Sequence, residues 1–449
     1  MDDSTSLDAA GAAFASADLA WMLIATALVL MMTPALAFFY GGLVRRKNAL
    51  NTMMMSFASL GIVGVLWALL GYSLAFAPGN AFIGGLDFAF LRGVGLEAQG
   101  TIPHLLFMAF QGTFAIITAA LISGAVAERM RFEAYLLFIA TWMLAVYAPV
   151  CHWVWGGGWL AEMGALDFAG GTVVHVNAGI AAVVAALVVG RRDDYGRRAM
   201  LPHNVPFVLL GAGLLWLGWF GFNAGSALAA DGVAALAFVN TLLAPAATLC
   251  AWMALDYATT RRTTAVGAAT GIVVGLVAVT PAAGFVGPLG ALALGALAAV
   301  PSYFAIMARG RTGLDDSLEV AAAHGLGGLV GALLTGVFAS AAWGPASGAL
   351  AGDWRQLGVQ VIAVVGALVY SGGATFVLLK LIGLIVPLRA DATMESQGLD
   401  VPLHGEEAYT EGDGAVLLPY FPAHTEPRTA AARTSLDAPS EANAASGVL

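Results

Sequence analysis

The stretch "DFAGGTVVHVNAGIAAVVAALVVG", residues 167–190, decides the fold of this chain. No charged residue follows Asp167 within it, and an apolar run of about 20 residues is long enough to cross a bilayer as a helix. Because lipid offers the backbone no hydrogen-bond partners, a crossing segment of this kind forms a helix. The stretch therefore predicts a transmembrane helix with a carboxylate at its head and the imidazole of His175 in its interior.

The composition extends this prediction to most of the 449 residues. Hydrophobic residues make up 59% of the chain and charged residues only 10%, whereas a soluble domain has about 25% charged residues. We therefore expect an all-α polytopic membrane protein with eleven transmembrane helices in a domain spanning residues 19–390. The apolar runs lie near residues 19–40, 50–77, 103–127, 133–153, 171–190, 204–228, 233–258, 264–283, 285–307, 318–340 and 358–385.

The charged residues predict how the helices are oriented. Residues 1–18 contain no Lys or Arg, and a secretory signal peptide begins with a positive region, so we expect the first apolar run to be a retained helix. If eleven helices alternate, 17 of the 19 Lys and Arg residues fall on one side. The positive-inside rule then makes residues 1–18 a short extracytoplasmic segment and places the C-terminus in the cytoplasm.

Residues 391–449 differ from the rest of the chain because they carry ten acidic and only two basic residues. We interpret them as a cytoplasmic regulatory tail. Its stretch "GLDVPLHGEEAY" (398–409) is predicted to be an ordered docking element. The small and polar residues after about residue 425 favour disorder.

The spacing between Asp167 and His175 recurs, since Asp316 also precedes His324 by eight residues. The two helices run in opposite directions, which is typical of an inverted repeat, here helices 1–5 against helices 6–10. At 1.5 Å per residue, each His lies about 12 Å inside its own face. In a hydrocarbon core of about 30 Å, roughly 6 Å then separates them along the membrane normal, so the imidazoles can meet near the midplane.

Two roles are open for this pair of histidines. Each imidazole can simply hydrogen-bond a neighbouring helix, or the pair can line a transport pathway, which intramembrane ionisable groups commonly mark. The matching positions in two repeats favour the pathway. The pair lacks the third ligand of a usual metal site and the Ser or Cys motif of a nucleophile. Asp167 fits a helix N-cap, so we expect any effect of it on a substrate to be indirect.

Aromatic side chains cluster on the predicted outer side of the membrane. Phe110 and Phe114 are four residues apart on helix 3 and therefore share a face. Trp219 and Phe222 form a similar pair on helix 6, and Ser226 follows one turn later. Any single ring of this kind is also typical of an interfacial aromatic belt.

Trp155 adds a further ring, predicted in the loop after helix 4 beside three glycines. The cluster as a whole lies above His175. Aromatic rings attract cations through their faces, and a hydroxyl accepts a hydrogen bond. The combination suits a small cation that also donates hydrogen bonds, which is ammonium.

Seven sequence motifs resemble those of the ammonium transporter and ammonia channel family, which is related to the Rhesus glycoproteins. They follow one another in the order found in that family. The resemblance covers about residues 20–410 and favours a bacterial-type member. The motifs are "FFYGGLVRRKN" (38–48), "FQGTFA" (110–115), "ALISGAVAERMRF" (120–132), "VWGGGWL" (154–160), "DFAGGTVVHVNAG" (167–179), "GWFGFNAGSALAA" (218–230) and "DDSLEVAAAHG" (315–325).

The resemblance implies homotrimers with one pore in each subunit, in a plasma or inner membrane. It also implies a recruitment site for ammonium, a gate of stacked phenyl rings and a pore lined by twin histidines. The recruitment residues are Phe110, Phe114, Trp155, Ser226 and, in a supporting role, Asp167; the gate is Phe114 with Phe222; the pore residues are His175, His324 and Trp219.

The docking element is similar to the motif through which bacterial members of the family bind a P-II-type nitrogen signal protein. Its implied regulatory residues are Gly398, Asp400, His404, Gly405 and Tyr409. The chain departs from the family in two places. Ala321 stands where the family usually has Phe, and Pro402 stands where plant members place a phosphorylatable Thr.

The expected mechanism follows from the cost of an isolated ion in a dry pore, which is tens of kcal/mol in the Born limit. Ammonium can give up a proton and cross as ammonia, so we expect recruitment, gating and then deprotonation. Ammonia channel and electrogenic transporter both stay open. The competing hypotheses are an ammonium sensor signalling through its tail, a Rhesus-type gas channel and an intramembrane enzyme. We favour the transporter, without enzyme activity, cofactor, bound metal or nucleic-acid partner.

Overall fold

The computed structural model describes residues 15–409. This part of the chain contains eleven apolar helices, and ten of them are long and apolar enough to span a membrane. The all-α polytopic fold is therefore confirmed. In chain order the helices are α1 (Ser16–Leu43), α2 (Arg46–Phe76), α3 (His104–Val126), α4 (Phe132–Met163), α5 (Gly171–Val189), α6 (Val205–Gly225), α7 (Gly232–Thr260), the shorter α8 (Ala265–Val279), α9 (Pro288–Thr312), α10 (Ala321–Phe338) and α11 (Trp354–Ile382).

Side-chain caps determine where several helices begin. The Asp231 carboxylate accepts the N–H groups of Val233 and Ala234 at the start of α7, and Asn204 caps α6 through Phe207. Such caps satisfy backbone donors that have no partner within the helix. Pro281 lies two residues after the end of α8, and it cannot continue a helical hydrogen-bond ladder. The predicted 264–283 run therefore forms a shorter helix followed by turns.

Helix α4 differs from its prediction. The sequence predicted that the apolar run would end at residue 153 and that Trp155 would lie in the following loop. In the structure the helix includes the segment Ala148–Trp155, and a further helical turn, Trp159–Met163, follows a short break. Trp155 is thus a helical residue, and the break falls on Gly156–Gly158. The reason is a contact distant in sequence: Trp153 donates its indole N–H to the Phe82 carbonyl, which holds this extra turn in place.

Helices that correspond in the two halves of the chain pack on one another. Helix α1 packs along α6, and α5 crosses α10. The crossing is closest between Gly179 and Gly325, where the two backbones meet without intervening side chains. Both α5 and α10 open with a wider, π-helical turn, Gly171–Val176 and Ala321–Leu326. The pairing of α5 with α10 places the two histidines within one interface.

The two faces of the helix bundle differ in their loops. The face that carries Trp155, called here the Trp155 face, holds a long connection from α2 to α3 with a small antiparallel pair, β1 (Ala98–Gln99) and β2 (Ile102–Pro103). The opposite face, the tail face, holds two short C-terminal helices, α12 (Ala392–Gln397) and α13 (Asp400–His404). Residues 1–14 and the tail beyond 409, including the stretch after 425, lie outside the described residues.

A buried charge network holds the loops of the tail face together. Arg192 bridges Glu128 at 2.7 Å and Asp315 at 2.7 Å, and Arg45 also reaches Glu128, at 3.0 Å. Although burial acts in the opposite direction, these guanidinium groups hold the pKa of Glu128 below its usual value. Removing one partner of such a buried network leaves an uncompensated charge, so the network fixes how the loops after α1, α3, α5 and α9 meet.

The Gly179 crossing generates a stability prediction. A Cβ at Gly179 would collide with the Gly325 backbone, whereas a Cβ at the exposed Gly61 would meet no atom within 4 Å. We expect Gly179→Ala to lower the stability of the fold by about 1–3 kcal/mol through overpacking. Gly61→Ala, the matched control, should stabilise α2 by up to about 1 kcal/mol. Thermal unfolding of both purified variants in detergent measures the difference, and equal midpoints would show that the crossing is not tightly packed.

Candidate functional site

The two buried histidines meet in the interior of the bundle. The Nδ1 atoms of His175 and His324 lie 3.3 Å apart, and the two rings stack with centroids 5.3 Å apart. The π-helical turns bring them there. In the first turn the His175 N–H bonds back to the Gly170 carbonyl over five residues, at 3.0 Å. The sequence predicted that the two histidines would lie roughly 6 Å apart along the membrane normal. In the structure their rings are in direct contact.

The contact between two Nδ1 atoms restricts the protons of the pair. One Nδ1 must carry a proton and donate it, and the other must be unprotonated and accept. The donor ring then has a free lone pair at Nε2, and the acceptor ring has a proton at Nε2. The Nε2 atom of His175 makes no hydrogen bond to the described residues. The neutral pair therefore presents one acceptor and one donor to a small polar molecule, but no fixed charge.

Asp167 and Asp316 organise the turns that carry the histidines. The Asp167 carboxylate accepts four backbone N–H groups at the start of α5, at distances of 2.6–3.0 Å. These donors belong to Gly170, Gly171, Thr172 and Val173. Burial raises the pKa of Asp167, and the four amide groups act against that rise. Asp316 is less well satisfied, because Oδ2 accepts from Ala321 at 2.7 Å while Oδ1 finds no partner in the described residues.

Trp219 and Phe222 both pack against the His175 ring. The Trp219 ring stacks on the imidazole with centroids 5.4 Å apart, and the Phe222 ring lies 6.0 Å from it. The Trp219 indole N–H donates to the Thr280 hydroxyl at 2.8 Å, and Asn223 lies next to that hydroxyl at 3.3 Å. Sequence reasoning missed Thr280 and Asn223. Their polarity inside long apolar runs was the signal that could have identified them.

Two stacked phenyl rings come next between the histidines and the Trp155 face. The row of side chains that runs from Ser226 and Trp155 past these rings to the histidines is called here the line. Phe114 and Phe222 stack with centroids 4.2 Å apart and an interplanar angle of 29°. Both rings are buried. Phe110 packs edge-on to Phe114 at 5.0 Å, and Trp155 packs edge-on to it at 5.9 Å. The structure thus brings these four sequence-predicted rings together, and the fifth, Trp219, contacts Phe222 with ring centroids 5.4 Å apart.

Ser226 and Trp155 lie at the exposed end of this cluster, and both are partly exposed. The Ser226 hydroxyl donates to the Phe222 carbonyl at 2.8 Å, which leaves its oxygen lone pairs free to accept. The Trp155 indole N–H donates to the backbone carbonyl of Asp167 at 2.8 Å. The Asp167 carboxylate itself is occupied by the α5 turn, so Asp167 contacts the cluster through its backbone carbonyl.

A carboxylate that sequence reasoning missed lies at the other end of the line, on the tail face. Glu319 forms an ion pair with Arg309 at 2.7 Å, five residues before His324. Burial raises the pKa of Glu319 to about 8, and Arg309 opposes the rise. Ala321, the first residue of the π-helical turn, contributes only a methyl group here. The signal in the sequence was the single acidic residue between Asp316 and His324.

The predicted regulatory residues lie against the start of α2. The Asp400 carboxylate accepts the N–H groups of Leu50 and Asn51 at 3.0 and 2.8 Å, as an anion at a helix N-terminus does. Burial raises the pKa of this carboxyl, and those backbone donors oppose the rise. The His404 ring hydrogen-bonds the Asn51 side chain at 3.0 Å and packs edge-on to Phe132. Burial lowers the pKa of His404.

Two glycines and a tyrosine complete the docked segment. Gly398 has φ +104° and packs against Lys47, and Gly405 has φ +70°, so both need the left-handed conformation that glycine allows. The Tyr409 hydroxyl lies 3.0 Å from the His203 Nε2 atom, and the Arg46 guanidinium lies over its ring. All five regulatory residues therefore lie together on the tail face.

Comparison with known proteins gives consistent matches along the chain. The profile of the Ammonium Transporter Family matches residues 20–409. The ammonium transporter of Bacillus subtilis (strain 168) is 48% identical over 400 residues, which cover 88% of this chain and 98% of that protein. The crystal structure of Saccharomyces cerevisiae Mep2 aligns with a TM-score of 0.81 at 35% identity, covering 86% of this chain and 89% of that one. A structure described as a sensor Amt protein also gives 0.81, at 31% identity, covering 86% and 98%.

The unequal satisfaction of the two capping aspartates generates a prediction. An Asn amide offers one acceptor oxygen, so Asp167→Asn leaves about two of its four donors without a partner. At about 1.5–3 kcal/mol for each hydrogen bond to a charged group, we expect a loss of roughly 3–6 kcal/mol. Asp316→Asn, the matched control, should cost about 1 kcal/mol because one carboxylate oxygen already lacks a partner. Thermal unfolding in detergent compares them, and the reverse order would contradict the capping role.

Proposed function

The chain belongs to the ammonium transporter family, and on that premise we propose how it carries ammonium across its membrane. Ammonium binds at the Trp155 face, gives up a proton to water on that side of the phenyl gate and continues as ammonia along the paired histidines. The observation that carries this proposal is the contact between the two neutral, buried imidazoles at 3.3 Å. It provides hydrogen bonds inside a path that offers no charge to compensate an ion.

Recruitment rests on the aromatic cluster at the Trp155 face. The rings of Phe110 and Trp155 each pack edge-on to Phe114, and the Ser226 oxygen has lone pairs free. A cation over such rings gains up to about 2 kcal/mol when water is excluded. Ammonium gains a further hydrogen bond to Ser226, which potassium cannot donate. Asp167 acts here by holding the Trp155 indole through its backbone carbonyl.

Deprotonation is favoured at the stacked phenyl rings. Phe114 and Phe222 present only hydrocarbon surface between the recruitment cluster and the histidines, so a cation that passed them intact would lose its hydration without compensation. Ammonia loses far less on the same path. Beyond the rings, it can donate to the free Nε2 lone pair of one histidine and accept from the Nε2–H group of the other. Trp219 closes one wall of this path over His175.

The competing hypotheses differ in what they require. The likeness to a structure described as a sensor supports a sensing role as the second candidate, signalling through the tail. A Rhesus-type gas channel would not need the recruitment cluster at the Trp155 face. The relatives are named as transporters, which favours a protein without enzyme activity. Transport remains our conclusion because the recruitment rings, the gate and the histidines form one continuous line.

The arrangement of the tail supports a regulatory role for residues 391–409. We propose that the Trp155 face is extracytoplasmic, that the tail face is cytoplasmic and that three copies assemble in a plasma or inner membrane. Segregation of 17 of the 19 basic residues supports this orientation. The docked segment, held by Asp400, His404 and Tyr409, then presents a surface on which a P-II-type nitrogen signal protein can act.

The neutral character of the pair predicts the selectivity of the pore. His175→Asp combined with His324→Glu supplies fixed negative charge, so a cation should then pass without deprotonation. We expect potassium current to increase about tenfold or more, which corresponds to about 1.4 kcal/mol. His203→Asp, a histidine of the tail face, serves as the control and should leave selectivity unchanged. Ammonium and potassium currents in proteoliposomes measure both. If the double variant has the same selectivity as the wild type, the proposal is wrong and the two histidines have only a structural role.

The Asp400 contacts predict how docking of the tail can be loosened. Asp400→Asn removes the negative charge that binds the start of α2, so residues 398–409 should detach more readily. We expect protease cleavage in this segment to rise several-fold, given about 1 kcal/mol or more at stake, and control by a P-II-type protein to weaken. Glu407→Gln, at an exposed carboxylate in the same segment, is the matched control. Unchanged cleavage and unchanged control in Asp400→Asn would contradict the docking role.

A further inference from the structure

A row of buried hydrogen bonds connects Trp219 to α7 and α8, two helices that carry no predicted site residue. The Trp219 indole N–H donates to the hydroxyl of Thr280, directly after α8, at 2.8 Å. That hydroxyl lies 3.3 Å from the side-chain oxygen of Asn223, whose amide group donates to the Thr241 hydroxyl of α7 at 2.9 Å. Each of these four side chains is at most 2% exposed. They are called here the Thr280 network.

The donors and acceptors of the Thr280 network leave one arrangement for the indole. An indole N–H only donates, so the Thr280 oxygen accepts from it. The single hydroxyl hydrogen of Thr280 is directed either at the Leu276 carbonyl, 2.8 Å away, or at the Asn223 oxygen. The Thr241 hydroxyl accepts from Asn223 and donates to a backbone carbonyl of its own helix at 2.7 Å. Thr280 is therefore the acceptor that orients the Trp219 ring.

The Trp219 ring in turn packs on the histidine pair. Its centroid lies 5.4 Å from that of the His175 imidazole, with an angle of 22° between the two planes. The centroids of the His175 and His324 rings are 5.3 Å apart, and their planes differ by 27°. Three nearly parallel rings thus lie in series. A rotation of the indole would remove the ring against which the His175 imidazole packs.

The residue after Thr280 contacts the helix that carries His175. The Pro281 carbonyl accepts the backbone N–H of Phe168 at 3.1 Å. A Cβ added at Gly171 would lie 2.5 Å from the Pro281 ring, so this ring packs directly on the Gly171 backbone. Gly171 is the first residue of the π-helical turn that includes His175. Two consecutive residues therefore hold the indole and this turn in a fixed relation.

We propose that Thr280 is a positioning residue for the path along the paired histidines. Its hydroxyl holds the Trp219 indole against His175, and this contact fixes the imidazole beside His324 and keeps the path narrow at that point. Without the hydroxyl the indole loses its acceptor, turns away from the imidazole and leaves a wider and less ordered path. The effect on transport rests on the function proposed above, whereas the hydrogen bond and the ring orientation do not.

A fixed indole also contributes to selectivity by size. Ammonia and methylamine differ by one methyl group, and a well-packed apolar wall distinguishes such a pair by roughly tenfold or more. A wall that can yield distinguishes them less well. We therefore expect the loss of the Thr280 hydroxyl to slow ammonium transport and to favour methylammonium relative to ammonium.

Three substitutions at Thr280 separate its hydroxyl from its shape. Thr280→Val keeps the branched shape but removes the acceptor, and Thr280→Ser keeps the acceptor. Thr280→Cys offers a sulfur atom, which accepts hydrogen bonds weakly, and should be intermediate. Thr335→Val is the matched control, because Thr335 is buried in α10 and its hydroxyl donates to the Gly331 carbonyl of its own helix at 2.8 Å.

The indole N–H group can be observed without any transport. Nitrogen NMR of ¹⁵N-tryptophan-labelled protein in lipid nanodiscs, with the Trp219 signal assigned by its loss in Trp219→Phe, should show a hydrogen-bonded indole in the wild type. The signal should move to the position of a free indole N–H in Thr280→Val and stay in place in Thr280→Ser and Thr335→Val. A Trp219 signal that is free in the wild type, or unchanged in Thr280→Val, would overturn the proposal. If Thr280→Val does not fold, the Thr280→Cys signal decides, because a weaker acceptor should move it part of the way.

Transport rates in proteoliposomes test the consequence for the path. In Thr280→Val the maximal rate for ammonium should fall about tenfold, since a buried donor without its acceptor disfavours the positioned ring. The KM should change little, because the recruitment residues keep their contacts. The ratio of methylammonium to ammonium rates should rise roughly threefold, as part of the discrimination against one methyl group is lost. Thr280→Ser and Thr335→Val should keep the wild-type rates and ratio.

The ratio of the two rates separates positioning from stability. Both substrates are measured on the same preparation, so a loss of folded protein lowers both rates and leaves their ratio constant. A wild-type ratio in Thr280→Val, with the indole signal displaced, would overturn the positioning role. A wild type that transports neither substrate would instead contradict the proposed function, and the indole signal would still report whether Thr280 holds Trp219.

Discussion

The constraint on which the whole structure depends is the burial of polar groups inside a helix bundle that is surrounded by lipid. Every polar group there needs a partner in the protein, since lipid supplies none. Helices satisfy the backbone, but their first N–H groups remain free. At α5 the Asp167 carboxylate takes four of them. That single capped turn sets where His175 lies, and the backbone carbonyl of Asp167 also holds Trp155. One residue, Asp167, therefore contacts both the aromatic cluster, through its backbone carbonyl, and the turn that carries His175, through its carboxylate.

The same constraint explains why the two ends of the line differ. At the Trp155 face the chain uses aromatic rings and carbonyl groups, which attract cations without carrying charge. At the tail face it uses full charges, with Arg192 held between Glu128 and Asp315. Such charges can be buried because each has partners in ideal geometry. The two histidines hydrogen-bond each other and do not use any of these charged groups. The interior of the line therefore remains neutral between an aromatic end and a charged end.

The sequence predicts those features that depend on local pattern. Apolar runs located the helices, and the spacing of Asp167 and His175 and its repeat predicted that two imidazoles would come together. The contacts that hold the site in place were not predictable in this way. The Thr280 hydroxyl that anchors Trp219 lies 61 residues away from it, and the turn that makes Trp155 helical is fixed by a carbonyl 71 residues earlier. Pairings of this kind arise from how helices pack, and no periodicity in one segment encodes them.

The geometry of the histidine pair has a consequence for the proposed mechanism. A proton accepted at the free Nε2 atom of one ring can cross the Nδ1 contact only if the other ring releases its own Nε2 proton. After that transfer both tautomers are reversed, and the first Nε2 atom now carries a proton. A second proton from the same side finds no acceptor until the pair resets. Ammonia, in contrast, donates to one Nε2 atom and accepts from the other without changing either tautomer. Two neutral histidines in Nδ1 contact therefore suit repeated passage of ammonia, and any sustained proton flux through them requires a separate step that returns the tautomers.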